Sequence, residues 1–244
     1  MEALSADSLA KAERLIAEAV ALDPTRQSNA ILYQYLGGIY GRRGEDAKAL
    51  EAYTRGIDLA PRTTSLILCR AALCLQLGNR QKALADYNSV LEAEPDNEEA
   101  LLLRAYIHTT LRHYREARAD YGHLLDINPM HEDGRLGLAI LCSKDGRPRE
   151  ALEQLDALIA FYPTHARHYL ARCGLYEQRK EYEKAMSDAH TAIRLEPDNP
   201  ECYLTRASLY LAMKKKRLCR EDCRKAIRLG ADGDGAAALL EQAR

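Results

Sequence analysis

The chain has 244 residues, 35 of them basic and 36 acidic, which gives a formal net charge of -1 at pH 7. Such a balance creates no overall field that would attract nucleic acid or an anionic membrane surface, so we expect neither partner. Hydrophobic residues make up 47% of the sequence, but no apolar run approaches the roughly 18 residues of a membrane-spanning helix. With no Trp, one Phe and many Ala, Leu, Arg and Glu, the composition is typical of packed helices and predicts no membrane insertion.

The first predicted element is an amphipathic helix over residues 7–22, inside a leading segment 1–29. Leu9 and Ile16 lie on its apolar stripe, and Pro24 follows its end. This pattern matches the second helix of a helical hairpin whose first helix is missing. We therefore expect an N-terminal cap, or a chain that begins inside a repeat of a longer protein, for example a targeting segment of a larger enzyme.

The N-terminal residues also bear on the cellular compartment. Residues 1–7 lack both the basic start and the apolar run of a secretory signal. The cytoplasm is therefore favoured for this chain, and the periplasm stays open if a signal peptide has been removed.

Prolines divide the next two hundred or so residues into equal parts. They recur at intervals of 34 residues, at Pro61, Pro95, Pro129, Pro163 and Pro197. Proline cannot continue a helix and biases the residue before it away from helical geometry, so each proline is predicted to close a helix. The sequence therefore predicts six repeating units: 30–63, 64–97, 98–131, 132–165, 166–199 and 200–233.

A second break falls inside each unit. Gly44, Gly78 and Gly146 mark it in three units, and a basic residue stands at the equivalent place in the others: Arg112, Lys180 and Lys214. Each unit is therefore predicted to be two helices joined by a short turn. Where Gly is absent, the turn either needs no left-handed residue or tolerates one at some cost.

The first unit carries a family signature. It reads Tyr33-x-x-Leu36-Gly37-x-x-Tyr40, then Ala49-x-x-x-Tyr53, then Pro61. This resembles the tetratricopeptide repeat, with Tyr in place of the usual Trp and Phe. The resemblance covers about residues 30–233 and implies an all-α fold, a right-handed α-α superhelix, in which a short helix over 234–244 caps the last hairpin.

Small residues occupy the places where the two helices of each hairpin are predicted to cross. On the first helices these are Gly37, Ala71, Ala105, Ala139, Cys173 and Ala207, and on the second helices Ala49, Ala83, Ala117, Ala151, Ala185 and Cys219. A bulky series, Tyr53, Tyr87, Tyr121 and Leu155, shrinks to Ala189 and Cys223. We expect the last two hairpins to be packed more tightly or filled differently.

Two further series vary together along the repeats. Four first helices carry Arg and four second helices carry Asp: Arg70, Arg104, Arg172 and Arg206, with Asp86, Asp120, Asp188 and Asp222. Where the Arg is replaced by Leu36 or Leu138, the Asp is replaced by Ala52 or Gln154. A partly buried Arg without its carboxylate would be costly, so we predict structural ion pairs rather than a row that binds acidic ligands.

The resemblance implies a binding site as well. In this family the first helices of successive hairpins line a concave groove that accepts peptides or helices. Mapping that groove onto this chain predicts Gln34, Leu68, Leu75, Leu102, Tyr106, Leu136, Ile140, Leu170, Leu204 and Leu211. One alternative is that the leucines form an exposed apolar row that binds an amphipathic helix or an extended apolar segment of a ligand. The other is that they are simply part of the core between helices.

Catalytic and metal-binding patterns are missing from the sequence. It has no Walker-type loop, GxSxG, HExxH or CxxC motif, so we predict no enzyme activity, no cofactor and no metal. The cysteines fall in predicted helices and are interpreted as reduced core residues: Cys69, Cys74, Cys142, Cys173, Cys202, Cys219 and Cys223.

His165 and His168 are expected at the surface without a carboxylate nearby. Lys214 to Arg217 and Asp232 to Gly235 are interpreted as solvated turns.

Two functions remain open from the sequence. The favoured one is a non-catalytic scaffold for protein–protein interaction that binds a partner peptide or helix in the groove. The alternative is a self-associating protein, such as a homodimer, whose groove or end helices pair with another copy.

Overall fold

The structure is a computed structural model, and it describes residues 6–231 and 233–243. Within these residues the chain is α-helical apart from short turns, one of them a 3-10 turn at Gln27–Asn29, and contains no strand, which confirms the all-α prediction. The helices are α1 (Ala6–Leu22), α2 (Ala30–Arg42), α3 (Asp46–Leu59), α4 (Thr64–Gln76), α5 (Arg80–Ala93), α6 (Glu98–Thr110), α7 (Tyr114–Ile127), α8 (Glu132–Lys144), α9 (Pro148–Phe161), α10 (Ala166–Gln178), α11 (Tyr182–Leu195), α12 (Pro200–Ala212), α13 (Lys216–Arg228) and α14 (Gly233–Gln242).

The helices form two compact units, Met1–Ile127 and Asn128–Arg244. In each unit the helices are paired into antiparallel hairpins, α2 with α3 and so on to α12 with α13. Inside a unit, the second helix of one hairpin packs on the first helix of the next. Each unit is thus a series of helical hairpins in which neighbours in sequence are neighbours in space.

Proline sets the end of the second helix in five hairpins. Helices α3, α5, α7, α9 and α11 each end two residues before their proline. The residue before a proline cannot easily adopt helical geometry, which explains this constant offset. Among the helices that follow, Asn97, His131 and Asn199 accept a hydrogen bond from a backbone N–H in the first turn and so cap the new helix.

The turns inside the hairpins use the left-handed backbone region whether or not Gly is present. Gly44, Gly78 and Gly146 have φ values of 71°, 77° and 74°. Arg112, Lys180 and Lys214 have φ values of 62°, 59° and 60° at the equivalent places. Three hairpins therefore accept a conformation that costs a residue with a side chain about 1 kcal/mol.

The helix crossings are closely packed. The small residues on the second helices, from Ala49 to Cys219, have no exposed surface. In the first hairpin the crossing is so close that a Cβ on Gly37 would collide with the ring of Tyr53. In the last two hairpins the space left by Ala189 and Cys223 is filled from elsewhere, by Tyr176 and Met186 in one and by α14 in the other.

The two end helices cover the terminal hairpins. On α1, Ile16 and Val20 pack against Tyr33 and Leu36. On α14, Leu239 and Leu240 pack against the last hairpin. Gly233 to Gly235 form the first turn of α14, so the expected solvated turn is wrong for these residues, and Asp232 lies outside the described residues.

None of the described helices combines the length and the apolar character that crossing a membrane would require.

Candidate functional site: two apolar clefts and the groups around them

One cleft in the first unit lies between α1, α2, α3 and α4. Its volume is about 710 Å³, and we call it the N-terminal cleft. Its walls are mainly apolar and are formed by Leu9, Ala12, Ile16, Ile31, Gln34, Tyr35, Gly38, Ile39, Arg42, Tyr53 and Cys69. Helix α1 supplies one wall, so the amphipathic stripe near the N-terminus serves the cleft as well as the core.

Two large apolar side chains of this cleft face solvent. Ile31 is 54% exposed and Tyr35 is 60% exposed. Deeper in the cleft, the Gln34 amide approaches the thiol of Cys69, with Nε2 and Sγ 3.7 Å apart. Arg42 is exposed and has no carboxylate within ion-pair distance among the described residues. The cleft therefore offers exposed apolar surface with one available positive charge.

A second cleft, of about 320 Å³, lies between α8 and α10 in the second unit. We call it the α8–α10 cleft, and its walls include Ile140, Leu170 and Gly174. Ile140 is 46% exposed. Lys144 lies at its edge, at the same place in the repeat as Arg42. Both clefts thus combine an apolar wall with one cation from the last turn of a first helix.

The leucines predicted to line a groove are neither fully exposed nor fully buried. Five of them recur every 34 residues and are half-buried: Leu68, Leu102, Leu136, Leu170 and Leu204. The first four of these pack by one side against the cores of their units. Leu75 and Leu211 are half-buried in the same way, whereas Tyr106 is 51% exposed. Of the predicted groove residues, Gln34, Ile140 and Leu170 line a cleft.

Sequence reasoning missed several cleft residues. The sequence predicts that residues 7–22 form a cap or part of an incomplete repeat, and not that Leu9, Ala12 and Ile16 line a cleft. It also does not predict the exposure of Ile31 and Tyr35. The phase of a short helix face cannot be set within a residue from sequence, and these two side chains lie beside residues that are buried. The apolar stripe of α1 was the available signal, because a cap packed on one hairpin leaves part of its stripe open.

The four arginines of the repeats are held by carboxylates. Each makes two hydrogen bonds to one Asp, from Nε and Nη2, at 2.6 to 2.9 Å. The four Asp residues are 4 to 7% exposed. The hydrogen bonds to Asp188 raise the pKa of the Arg172 guanidinium, against the opposing effect of burial. The Nε–Nη2 edge of each guanidinium is therefore occupied by its own Asp and is poorly placed to bind a ligand.

Three of these arginines also reach the preceding hairpin. Their remaining nitrogen, Nη1, donates to Thr54, Asn88 or Asp156, which occupy one repeated place on a second helix. Each of these arginines therefore joins three helices. In the hairpins without Arg, Leu36 is buried beside Ala52, and Gln154 instead accepts a hydrogen bond from Arg135.

The thiols lack the character of catalytic nucleophiles. Six of the seven cysteines are buried, and none forms a disulfide. Burial raises the pKa of Cys173 to about 12 and that of Cys202 to about 11. Because only the thiolate is a strong nucleophile, these thiols are unreactive near neutral pH.

The expected surface placement of His165 and His168 is wrong for His168. Its side chain is fully buried, and its Nε2 lies 2.9 Å from Oε1 of Glu132. His165 is exposed, but its Nδ1 lies 3.0 Å from the same oxygen. Burial lowers the pKa of His168. Burial also favours a raised pKa for Glu132, but the hydrogen bond from His165 and the charge of Arg167 hold it below its ordinary value. The carboxylate stands about one repeat earlier in the chain, so local spacing could not reveal it.

Comparisons with known proteins bear on the family. Three family models, each described as tetratricopeptide repeat, match residues 73–129, 109–173 and 200–230. A tetratricopeptide repeat protein from Parabacteroides merdae ATCC 43184 is similar in structure, with 29% identity, a TM-score of 0.81, and coverage of 97% of this chain and 93% of that one. No curated protein sequence matches.

Two more distant structures share the fold. A thermophilic tetratricopeptide repeat protein from Thermus thermophilus has 22% identity and a TM-score of 0.63, and the match covers 74% of this chain and 98% of that one. Yeast Tom70 has 17% identity and a TM-score of 0.72, and the match covers 97% of this chain and 51% of that one.

Proposed function

Because this chain belongs to the tetratricopeptide repeat family, we propose that it is a non-catalytic scaffold that binds a segment of a partner protein in the N-terminal cleft. The family generally mediates protein–protein interactions, and its members are typically not enzymes. The particular cleft and the chemistry of its ligand go beyond the family and rest on the residues of this chain.

The exposed pair Ile31 and Tyr35 carries the proposal. Both side chains line the N-terminal cleft, which is concave and mainly apolar. Its volume of about 710 Å³ is within the size range of ligand-binding pockets. A tyrosine at such a place offers a large contact area and loses little conformational entropy when it becomes buried. An apolar segment of a partner would remove this surface from water, which favours binding.

The available charge of Arg42 defines the ligand further. An apolar segment with an acidic side chain at one end would place its carboxylate near the guanidinium. The segment is an amphipathic helix or an extended strand of apolar residues, since both present side chains along one face. The α8–α10 cleft, with Lys144 at its edge, offers a smaller surface of the same chemistry.

A peptide array tests this proposal. It would carry amphipathic and extended apolar peptides, each made with and without one acidic residue, and would be probed with the full chain. We expect binding to be lost in Tyr35→Glu, because a charge replaces the central apolar contact. Arg42→Gln should weaken only the acidic peptides, by up to about fivefold, since an exposed ion pair contributes up to about 1 kcal/mol.

Leu22→Glu is the matched control, because Leu22 is an 89% exposed leucine on α1 that does not line the cleft. Equal peptide binding by the wild type and Tyr35→Glu would contradict the proposal. Light scattering over a wide concentration range separates it from self-association. A dimer that ignores the peptides and dissociates in Tyr35→Glu would assign the cleft to a second copy of the chain.

A further inference from the structure

A polar cluster stands where the other hairpins have an apolar core. His168, in the first turn of α10, is fully buried. In four other hairpins the equivalent place is filled by small or apolar residues that are also buried: Leu66, Ala100, Gly134 and Cys202. Burying an imidazole costs free energy unless its polar atoms are used. This histidine therefore calls for a partner that the other hairpins do not have.

The partner is a pair of groups that converge on His168. Glu132 begins α8, and His165 precedes α10. One ring nitrogen of each histidine and a carboxylate oxygen of Glu132 all lie within 4.8 Å of one another. Nδ1 of His165 and Nε2 of His168 lie 3.0 and 2.9 Å from Oε1 of Glu132. Around a tetrahedral ion with bonds of about 2.0–2.1 Å, ligand atoms are about 3.3 Å apart, so a small opening admits the ion.

His165 differs from its counterparts in a second way. At the same place in the repeat, the side chains of Asn97, His131 and Asn199 cap the following helix. His165 makes no capping hydrogen bond, and its Nδ1 points to Glu132 instead. Its ring is stacked on Tyr162, with centroids 5.3 Å apart and an interplanar angle of 15°. The stack holds the imidazole in the plane that directs Nδ1 into the cluster.

We propose that Glu132, His165 and His168 form a binding site for a divalent transition-metal ion such as Zn²⁺. Two imidazole nitrogens and one carboxylate are a donor set that suits Zn²⁺, Co²⁺ and Ni²⁺, and three protein ligands leave a position for water or for a group from a partner. Because α8 and α10 also form the α8–α10 cleft, a bound ion would fix the spacing of its two walls.

Two neighbouring groups limit the strength of this site. Nε of Arg167 lies 3.1 Å from Oε1 of Glu132, so a positive charge already occupies part of the carboxylate. When an ion takes Nε2 of His168, the ring proton moves to Nδ1, which is buried and has no hydrogen-bond partner in the described part of the chain. A missing outer partner of this kind lowers metal affinity about 10- to 100-fold. We therefore expect an exchangeable ion rather than one on which folding depends.

Titration of the full chain with Co²⁺ and Zn²⁺, followed by visible absorption and calorimetry, tests the site. We expect one saturable equivalent and a rise in melting temperature. His165→Ala should lower the affinity for the metal ion at least about tenfold, since the two remaining ligands, Glu132 and His168, hold an ion weakly. His165 is 44% exposed, and melting without metal would show that the variant stays folded.

Arg167→Gln gives a result that a purely structural hydrogen-bond cluster would not. Removing the competing cation should tighten metal binding by several-fold. His123→Ala is the matched control, because His123 is an exposed histidine beside Asp96, at 2.8 Å, in the other unit. It should leave the affinity unchanged.

Three outcomes would overturn the proposal. The first is the absence of saturable binding by the wild type. The second is unchanged affinity in His165→Ala. The third is a thiolate-to-cobalt absorption band that disappears when Cys219 and Cys223 are replaced by Ser, since that would assign the ion to these thiols.

Discussion

Hairpins with an arginine and hairpins without one stabilise the same helix crossing differently. In 64–97, 98–131, 166–199 and 200–233, a guanidinium binds a buried Asp through two hydrogen bonds. In 30–63, buried Leu36 lies beside Ala52. The crossing therefore tolerates either an ion pair or apolar contact, but both residues must change together, since one charge left alone in the core is costly.

The same two kinds of hairpin also differ in the charge that their first helices present at the clefts. The two hairpins without the ion pair, 30–63 and 132–165, are also the ones that present Arg42 and Lys144 at the clefts. Neither cation has an ion-pair partner in residues 6–231 or 233–243. At the equivalent place, the other four first helices carry the uncharged residues Gln76, Thr110, Gln178 and Ala212.

Breaking one ion pair should have the largest effect. Arg172→Leu leaves Asp188, which is 4% exposed, without its partner. We expect the free energy of unfolding to fall by about 3–5 kcal/mol, as measured by urea denaturation followed by circular dichroism. Arg172→Leu with Asp188→Ala copies Leu36 and Ala52, and it should recover most of this loss. A double variant as unstable as the single one would mean that the pair itself, rather than the orphaned carboxylate, accounts for the loss.

Overpacking the apolar hairpin should have an intermediate effect. Gly37→Ala places a methyl group against the ring of Tyr53, so we expect a loss of about 1–3 kcal/mol in the free energy of unfolding. The adjacent Gly38→Ala is the control, since a Cβ there meets no atom within 4 Å. Gly38→Ala should raise the free energy of unfolding by up to about 1 kcal/mol, with both variants measured by thermal unfolding. Equal changes in the free energy of unfolding at both glycines would show that helix propensity, and not the close helix crossing, determines the effect of the substitution.

Changing a turn should have the smallest effect. Lys180 has a φ of 59°, whereas the neighbouring hairpin has Gly146 at 74°. Lys180→Gly should therefore raise the free energy of unfolding by about 1 kcal/mol, because glycine adopts this region without steric cost. Gly146→Ala should lower it by a similar amount. A destabilised Lys180→Gly variant would show that the lysine side chain compensates for its backbone through contacts of its own.

The repeat family and the all-α fold could be predicted from sequence because their signals are local. A proline every 34 residues closes a helix through its own backbone, and the signature from Tyr33 to Pro61 lies within one hairpin. The cluster of Glu132, His165 and His168 could not be predicted in this way. Glu132 and His168 come from different hairpins, and no residue near His168 in sequence indicates that a carboxylate faces it.

The sequence by itself determined the period, the helices and the small residues at their crossings, since each of these depends on neighbours within one repeat. Only the tertiary structure decided which apolar residues stay exposed and which charges are left available. Ile31 and Tyr35 face solvent because of how α1 and α4 lie beside α2, and a helix face shows no such difference until its neighbours are in place. For the same reason, the half-burial of the leucine row followed from the packing of successive hairpins and not from its regular spacing.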